Sequence, residues 1–357
     1  MEPLTFIDAP LDADEREAKI SEKRVQALAG YRELPYLNPY DGVMAELKGF
    51  PLPQYGEIRD FEVEPWLLPA PNPAYLNLVT VENFVVFIDA DGCREYAEKL
   101  ERLVRESVLP SLPVLVGVDH SLTGGAVKAL SREYGGENLL LVGLDSHFDG
   151  ITPTVRCGLI QYEGENNPNT VFSPFDPFIR ARPDSYNADS FLYYLVKEKV
   201  IPAGNIVVLG ASDQPPSHLE KVEDSRVKRF INHYYGMVDE GITLVSRDEI
   251  KQNFRRVREA LEAVDASHLY LSVDIDVGAN AALKGARFLD RKGLSRSELG
   301  NLISEIVRLL GRGKKLAGVD VLETDVYRAG RTLEGWRDET YRIEAEILAR
   351  VLLKALG

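Results

Sequence analysis

From about residue 84 onward, short runs of aliphatic and β-branched residues alternate with longer stretches in which apolar side chains recur every three or four positions. A bounded apolar run of five or six residues reads as a covered strand, and the longer period reads as a helix. Strands are predicted at 84–88, 114–118, 139–144, 206–210, 242–246, 269–273 and 316–321. Helices are predicted at 94–107, 123–133, 188–199, 247–263, 295–311 and 338–356. Two helix starts carry capping boxes, Ser246 with Glu249 and Ser295 with Glu298, whose side chains satisfy otherwise orphaned N–H groups. Continuously apolar strands alternating with helices imply an α/β fold around a mainly parallel sheet covered on both faces. In such a sheet ligands bind just beyond the carboxyl ends of the strands.

The first 73 residues follow another rule: they hold ten of the twenty prolines. Proline fixes φ and lacks an N–H, so little regular helix or central strand is expected there. One helix is predicted around 13–30. Residues 1–80 therefore read as an irregular proline-rich arm packed on a main domain spanning 81–357. Residues 150–187, rich in proline and asparagine, read as a long functional loop or lid. Its Arg156, Arg180 and Arg182 are candidates to hold a substrate carboxylate.

Composition excludes more than it assigns. The chain has 357 residues with 56 acidic and 42 basic side chains, a formal charge of −14. That balance argues against a nucleic-acid binder or an anionic-membrane protein. No run approaches the ~18 apolar residues of a membrane span, and the acidic N-terminus lacks the basic-then-apolar order of a secretory signal. Two cysteines, Cys93 and Cys157, are too few for a disulfide framework or a thiolate metal site. A cytoplasmic protein is expected.

The chemistry sits at the predicted strand ends. Strand 139–144 is followed by Asp145-Ser146-His147-Phe148-Asp149, strand 269–273 by Asp274-Ile275-Asp276, and strand 114–118 by Asp119-His120-Ser121. On an extended segment, side chains at i, i+2 and i+4 project to one face. Any one of these motifs is ordinary, because aspartate is common at strand ends as a turn or cap residue. All three at one sheet edge would gather carboxylates that require a cation. Mixed imidazole and carboxylate donors suit Mn²⁺, Fe²⁺ or Zn²⁺, and six ligands exceed what one catalytic ion needs, so two ions are expected.

These three motifs, in order and spacing, resemble the metal motifs of the arginase/agmatinase (ureohydrolase) family, over roughly residues 84–357. The resemblance implies a three-layer α/β/α sandwich and two Mn²⁺ ions. One ion would take His120, Asp145, Asp149 and Asp274, the other Asp145, His147, Asp274 and Asp276, with Asp145 and Asp274 bridging. It also implies a metal-bridging hydroxide as nucleophile, hydrogen-bonded to Asp149, that cleaves a linear C–N bond of a guanidine or amidine. Glu323, at the end of strand 316–321, would pair with the substrate's guanidinium, as a carboxylate can accept two parallel N–H bonds. The partners implied are a small guanidine or amidine substrate and copies of the same chain in a trimer or hexamer.

The departures concern specificity. Related arginases and agmatinases carry a proton-shuttle histidine after the DxHxD motif, whereas this chain has none between Asp149 and His218. Asn187 is the candidate at the equivalent, substrate-facing place. The segment after Asp276 lacks the usual Asp-Pro, and Thr324-Asp325-Val326 lacks the common proline. A divergent member is expected, and arginine is disfavoured as its substrate. Two competing readings are a mononuclear zinc deacetylase-like amidohydrolase, which the extra ligands His120 and Asp149 disfavour, and a metal-binding paralogue without turnover. His218, His233 and His268 read as structural or surface residues.

Overall fold

The computed structural model describes residues 4–173, 175–289, 291–333 and 335–357. Its frame is one eight-stranded sheet. The strands are β1 (Leu4–Ala9), β2 (Tyr55–Ile58), β3 (Leu112–Gly117), β4 (Leu139–Leu144), β5 (Ile206–Gly210), β6 (Thr243–Ser246), β7 (His268–Asp274) and β8 (Lys315–Leu322). Their spatial order is β2-β1-β3-β8-β7-β4-β5-β6, and every neighbouring pair is parallel. All carboxyl ends therefore open on the same edge.

Alternation along each strand sends side chains to two cores. Val114 and Val116 of β3 join the cluster beneath the helices Pro39–Leu47, Arg296–Leu310 and Thr340–Leu356. Leu115 between them joins the opposite cluster beneath Gly92–Leu103, Leu122–Tyr134 and Ser225–Asp239. This is the three-layer α/β/α arrangement the motifs implied. Both capping boxes form, at Ser246 and Ser295.

The structure differs from the sequence reading in four places. The run 84–88 is not a strand but lies in the helix Val81–Asp89, where Thr80 accepts from the Asn83 N–H and Phe84 and Ile88 share the buried face while Val86 is exposed. The N-terminal segment, expected to be irregular, supplies β1 and β2 to the sheet. The proline-flanked segment also forms the helix Pro39–Leu47, capped by Asn38 with Pro39 in its first turn, where the missing N–H costs nothing. The expected loop 150–187 contains the helix Pro153–Asn166, which buries only Pro153, Val155 and Cys157 and so has almost no apolar periodicity. Finally, the stretch 247–263 is two helices, Arg247–Gln252 and Arg255–Glu262.

β1 lies close against β3. A Cβ on Gly117 would stand 2.0 Å from the Ala9 carbonyl oxygen, so the close approach requires glycine there.

Candidate metal centre

Each central strand delivers acidic side chains to the shared edge just after its last paired residue. Asp119 and His120 follow β3, Asp145, His147 and Asp149 follow β4, Asp276 follows Asp274 at the end of β7, and Glu323 follows β8. Donor atoms of His120, Asp145, Asp149 and Asp274 lie within 4.8 Å of one another, and so do those of Asp145, His147 and Asp276. All six are buried except His147, which is partly exposed.

The two groups share Asp145, and Asp274 belongs to the first alone. Its Oδ1 instead accepts the Asp276 N–H at 2.8 Å, while its Oδ2 stands 3.5 Å from His120 Nδ1. Nor do the side chains of the DxHxD segment converge on one point. The chain leaves extension at Ser146 and His147, where the His147 N–H donates to Asp145 Oδ1 at 2.6 Å, and Asp149 itself has a left-handed backbone (φ 53°). That conformation is unfavourable for a non-glycine residue. It is held by the Asp149 carbonyl, which accepts from the Leu192 N–H at 3.1 Å.

Supporting contacts aim the imidazoles. His120 Nε2 meets Ser272 Oγ at 2.9 Å, and Ser272 in turn donates to buried Asp320 at 2.8 Å. Asp320 also receives the Tyr270 and Thr123 hydroxyls and the Val273 N–H. Occupying Nε2 in this way leaves Nδ1 facing the carboxylates, as a metal-binding imidazole requires. His120 Nδ1 lies 2.7, 3.4 and 3.5 Å from oxygens of Asp149, Asp145 and Asp274. The phenyl ring of Phe191 packs on the His120 ring at 4.8 Å. Across the site, His147 Nδ1 is 2.8 Å from Asp276 Oδ2, and Ser146 gives its N–H and hydroxyl to Asp276 Oδ1.

The electrostatics show what the cluster lacks in protein partners. Burial pushes the carboxyls of Asp149 and Asp274 well above the usual range, and neighbouring carboxylates push them further. Burial disfavours the charged imidazoles, yet the surrounding aspartates outweigh it and hold His120 and His147 well above the ordinary histidine value. Asp276 goes the other way: His147 and Ser146 overcome its burial and lower it. These shifts mark an excess of buried carboxylate that a bound cation would offset. Glu323 Oε2 is buried without a hydrogen-bond partner among the described residues. The donor set, imidazole nitrogen with carboxylate oxygen, fits borderline divalent ions.

A match to the Arginase family extends over residues 58–353. The chain belongs to the arginase family. No curated protein matches its sequence, and the solved relatives are remote. Arginase from Bacillus subtilis shares 15% identity with TM-score 0.59, each chain covered at 100%. Proclavaminate amidino hydrolase from Streptomyces clavuligerus shares 17% with TM-score 0.58, covering 99% of this chain and 92% of its own. Formiminoglutamase from Trypanosoma cruzi, solved with Mn²⁺, shares 16% with TM-score 0.51, covering 73% of this chain and 71% of its own. These likenesses describe the arginase fold. Members of the arginase family are hydrolases acting on C–N bonds, and this member retains a buried His/Asp cluster able to hold metal.

Other residues singled out from the sequence have in-chain partners. Asn187 heads the turn Ala188–Ser190, its side chain taking the Ser190 hydroxyl at 3.1 Å. Arg182 is locked between Glu15 and Asp89 at 2.9 and 2.6 Å, and Arg156 meets Asp189 at 3.1 Å. His268 stacks on Tyr134 with centroids 4.1 Å apart, and His233 contacts the Gly150 carbonyl at 2.7 Å. Cys93 and Cys157 are buried free thiols.

Three contributors were not foreseen. Asp213, beyond β5, accepts from the Phe148 N–H, and its Oδ1 is buried without a partner among the described residues. Its position three residues after an apolar run was the available signal. Asp320 lies inside the run 316–321, where period-two alternation marks it as the polar exception. Arg287 sits in the segment after β7 and meets Glu323 Oε1 at 3.0 Å. Nothing in the sequence pairs those two.

Proposed function

We propose that this protein is a binuclear metal-dependent hydrolase cleaving a linear C–N bond of an amidine or guanidine-type compound. The observation that carries this reading is the pair of buried donor groups joined through Asp145 at the carboxyl edge of the sheet. His120, Asp145, Asp149 and Asp274 would hold one ion, and Asp145, His147 and Asp276 the other. Mn²⁺ is the proposed metal, with Fe²⁺ or Zn²⁺ as substitutes the same donors accept. Bound ions would supply Lewis acidity and lower the pKa of water.

The chain's own part is to hold the donors rigid and to handle protons. Asp149, whose carboxylate lies closest to His120 Nδ1 at 2.7 Å, would orient the nucleophile and accept its proton. Glu323 bounds the site on the β8 side, with Oε1 accepting from the His120 N–H at 3.1 Å. Asn187 cannot shuttle protons at neutral pH, so release of the leaving amine relies on its own basicity or on solvent reaching partly exposed His147. Loss of a dedicated general acid typically slows turnover ~10²–10⁴-fold. The proposed partner set is a small substrate and further copies of the chain, as a trimer or hexamer, without nucleic acid or membrane. Among the described residues no helix is long and apolar enough to cross a membrane, and free cysteines agree with a cytoplasmic setting.

The test is metal analysis of purified protein combined with a panel of guanidines, amidines and amides in the presence of Mn²⁺, scored for urea, ammonia or formamide. About two ions per chain and release from at least one amidine or guanidine are expected. One zinc per chain with amide cleavage would replace this reading with a deacetylase-like one. Two ions with no turnover across the panel would leave a metal-binding protein.

A further inference from the structure

Beside the metal centre lies a second knot of charge. Arg287 is only 7% exposed, and four carboxylates surround its guanidinium. Nη1 is 3.0 Å from Glu323 Oε1 and 3.8 Å from Asp119 Oδ2, Nη2 is 3.6 Å from Asp12 Oδ1, and Nε is 3.7 Å from Asp14 Oδ2. Those acids come from beyond three adjacent strands, β1, β3 and β8. Lys23 also serves Asp12 at 3.0 Å and Arg16 serves Asp14 at 2.5 Å, whereas the ion pairs of Glu323 and Asp119 are with Arg287.

The fit is incomplete. Arg287 Nε and Glu323 Oε2 are both buried without a hydrogen-bond partner among the described residues. A planar cation and an adjacent carboxylate thus meet through one hydrogen bond where two parallel ones are available to an untethered guanidinium. The tether is firm: the Arg287 N–H donates to the Glu323 carbonyl at 2.9 Å, and Arg16 Nη2 donates to the Arg287 carbonyl at 3.1 Å. Arg16 also lies over the Phe288 ring at 3.8 Å, and that ring meets His147 at 5.5 Å. The occupied pocket therefore adjoins both donor groups, through His120 on Glu323 and through Phe288 on His147.

We propose that Arg287 is a specificity-determining residue: its guanidinium fills, in cis, the acidic pocket of Glu323, Asp119, Asp12 and Asp14 beside the metal centre, so a free guanidinium head group is excluded from it. The substrate consequence rests on the hydrolase reading above; the filled pocket itself does not. The substrate class that follows is an amidine, whose weaker basicity lets it react uncharged, in preference to arginine-like guanidines, which stay protonated.

Truncation tests this directly. Arg287→Ala opens a pocket lined by carboxylates, and guanidinium chloride at about 10 mM should raise its Tm by about 2 °C or more over sodium chloride at equal ionic strength. Wild type and the surface control Arg255→Ala should show no such rise, and Arg287→Ala/Glu323→Gln should lose it. A rise of equal size in wild type, or none in Arg287→Ala, overturns the proposal. If Arg287→Ala is recovered unfolded, its refolding yield is compared in guanidinium and sodium at the same concentration, and absence of a gain likewise overturns it. With Mn²⁺ loaded, the rate ratio of guanidine to amidine cleavage should rise at least about tenfold in Arg287→Ala, and an unchanged ratio overturns the specificity role. Failure of every variant to turn over any substrate would sink the hydrolase reading and leave the binding measurements standing.

Discussion

At the scale of single residues, the two donor groups are unequal. Asp145 contributes to both, Asp276 to one. Asp145→Asn should therefore lose both ions, whereas Asp276→Asn should retain about one per chain; elemental analysis after dialysis distinguishes them, and equal losses would break the proposed ligand division. The three motifs together marked the six side chains that gather at the sheet edge, although each motif alone is ordinary. What the spacing did not reveal is the left-handed turn at Asp149 and its counterpart at Glu323 (φ 66°). Both are backbone outcomes set by contacts with distant segments: Leu192 N–H on the Asp149 carbonyl, and Arg287 N–H on the Glu323 carbonyl. Local sequence carries no mark of either.

At the scale of elements, the contact between β1 and β3 depends on the absence of a side chain at Gly117. A methyl group there would sit 2.0 Å from the Ala9 oxygen, so Gly117→Ala must force the strands apart. We expect a loss of about 3 kcal/mol or more in denaturant unfolding; a loss below about 1 kcal/mol would mean that β1 is not held as described. The central strands were readable because a strand covered on both faces must be apolar throughout. β1 was not, since LTFIDA is interrupted by Thr5 and Asp8 and lies between Pro3 and Pro10. It becomes a strand only because β2 and β3 pair with it on either side. The opposite outcome at 84–88 has the same origin. Five apolar residues in a row do not specify a period, and the Thr80 cap together with burial of Phe84 and Ile88 selects the helix.

At the scale of the whole molecule, buried charge makes stability depend on pH. Glu344 is fully buried in the helix Thr340–Leu356 and takes the Thr324 hydroxyl. Burial pushes its carboxyl up to about 8. The folded chain then holds a proton that the unfolded chain releases near the ordinary carboxylate value, so this residue's contribution to stability falls as pH rises from there to about 8. Glu344→Gln, which needs no proton, should gain stability relative to wild type between pH 5 and pH 8, read as the difference in denaturant midpoints. A constant difference across that range would contradict the assignment.

The sequence by itself determined the class of fold and which side chains gather at the carboxyl edge of the sheet. A parallel sheet must bury both faces, which leaves continuous apolar runs along the chain, and a metal centre at its carboxyl edge must spend aspartates and histidines immediately after them. Only the tertiary structure decided how those donors divide, that the N-terminal segment completes the sheet, and that Arg287 meets Glu323 across 36 residues. Those outcomes rest on contacts between segments far apart in the chain, where side-chain reach and charge balance are settled by the packing of the whole.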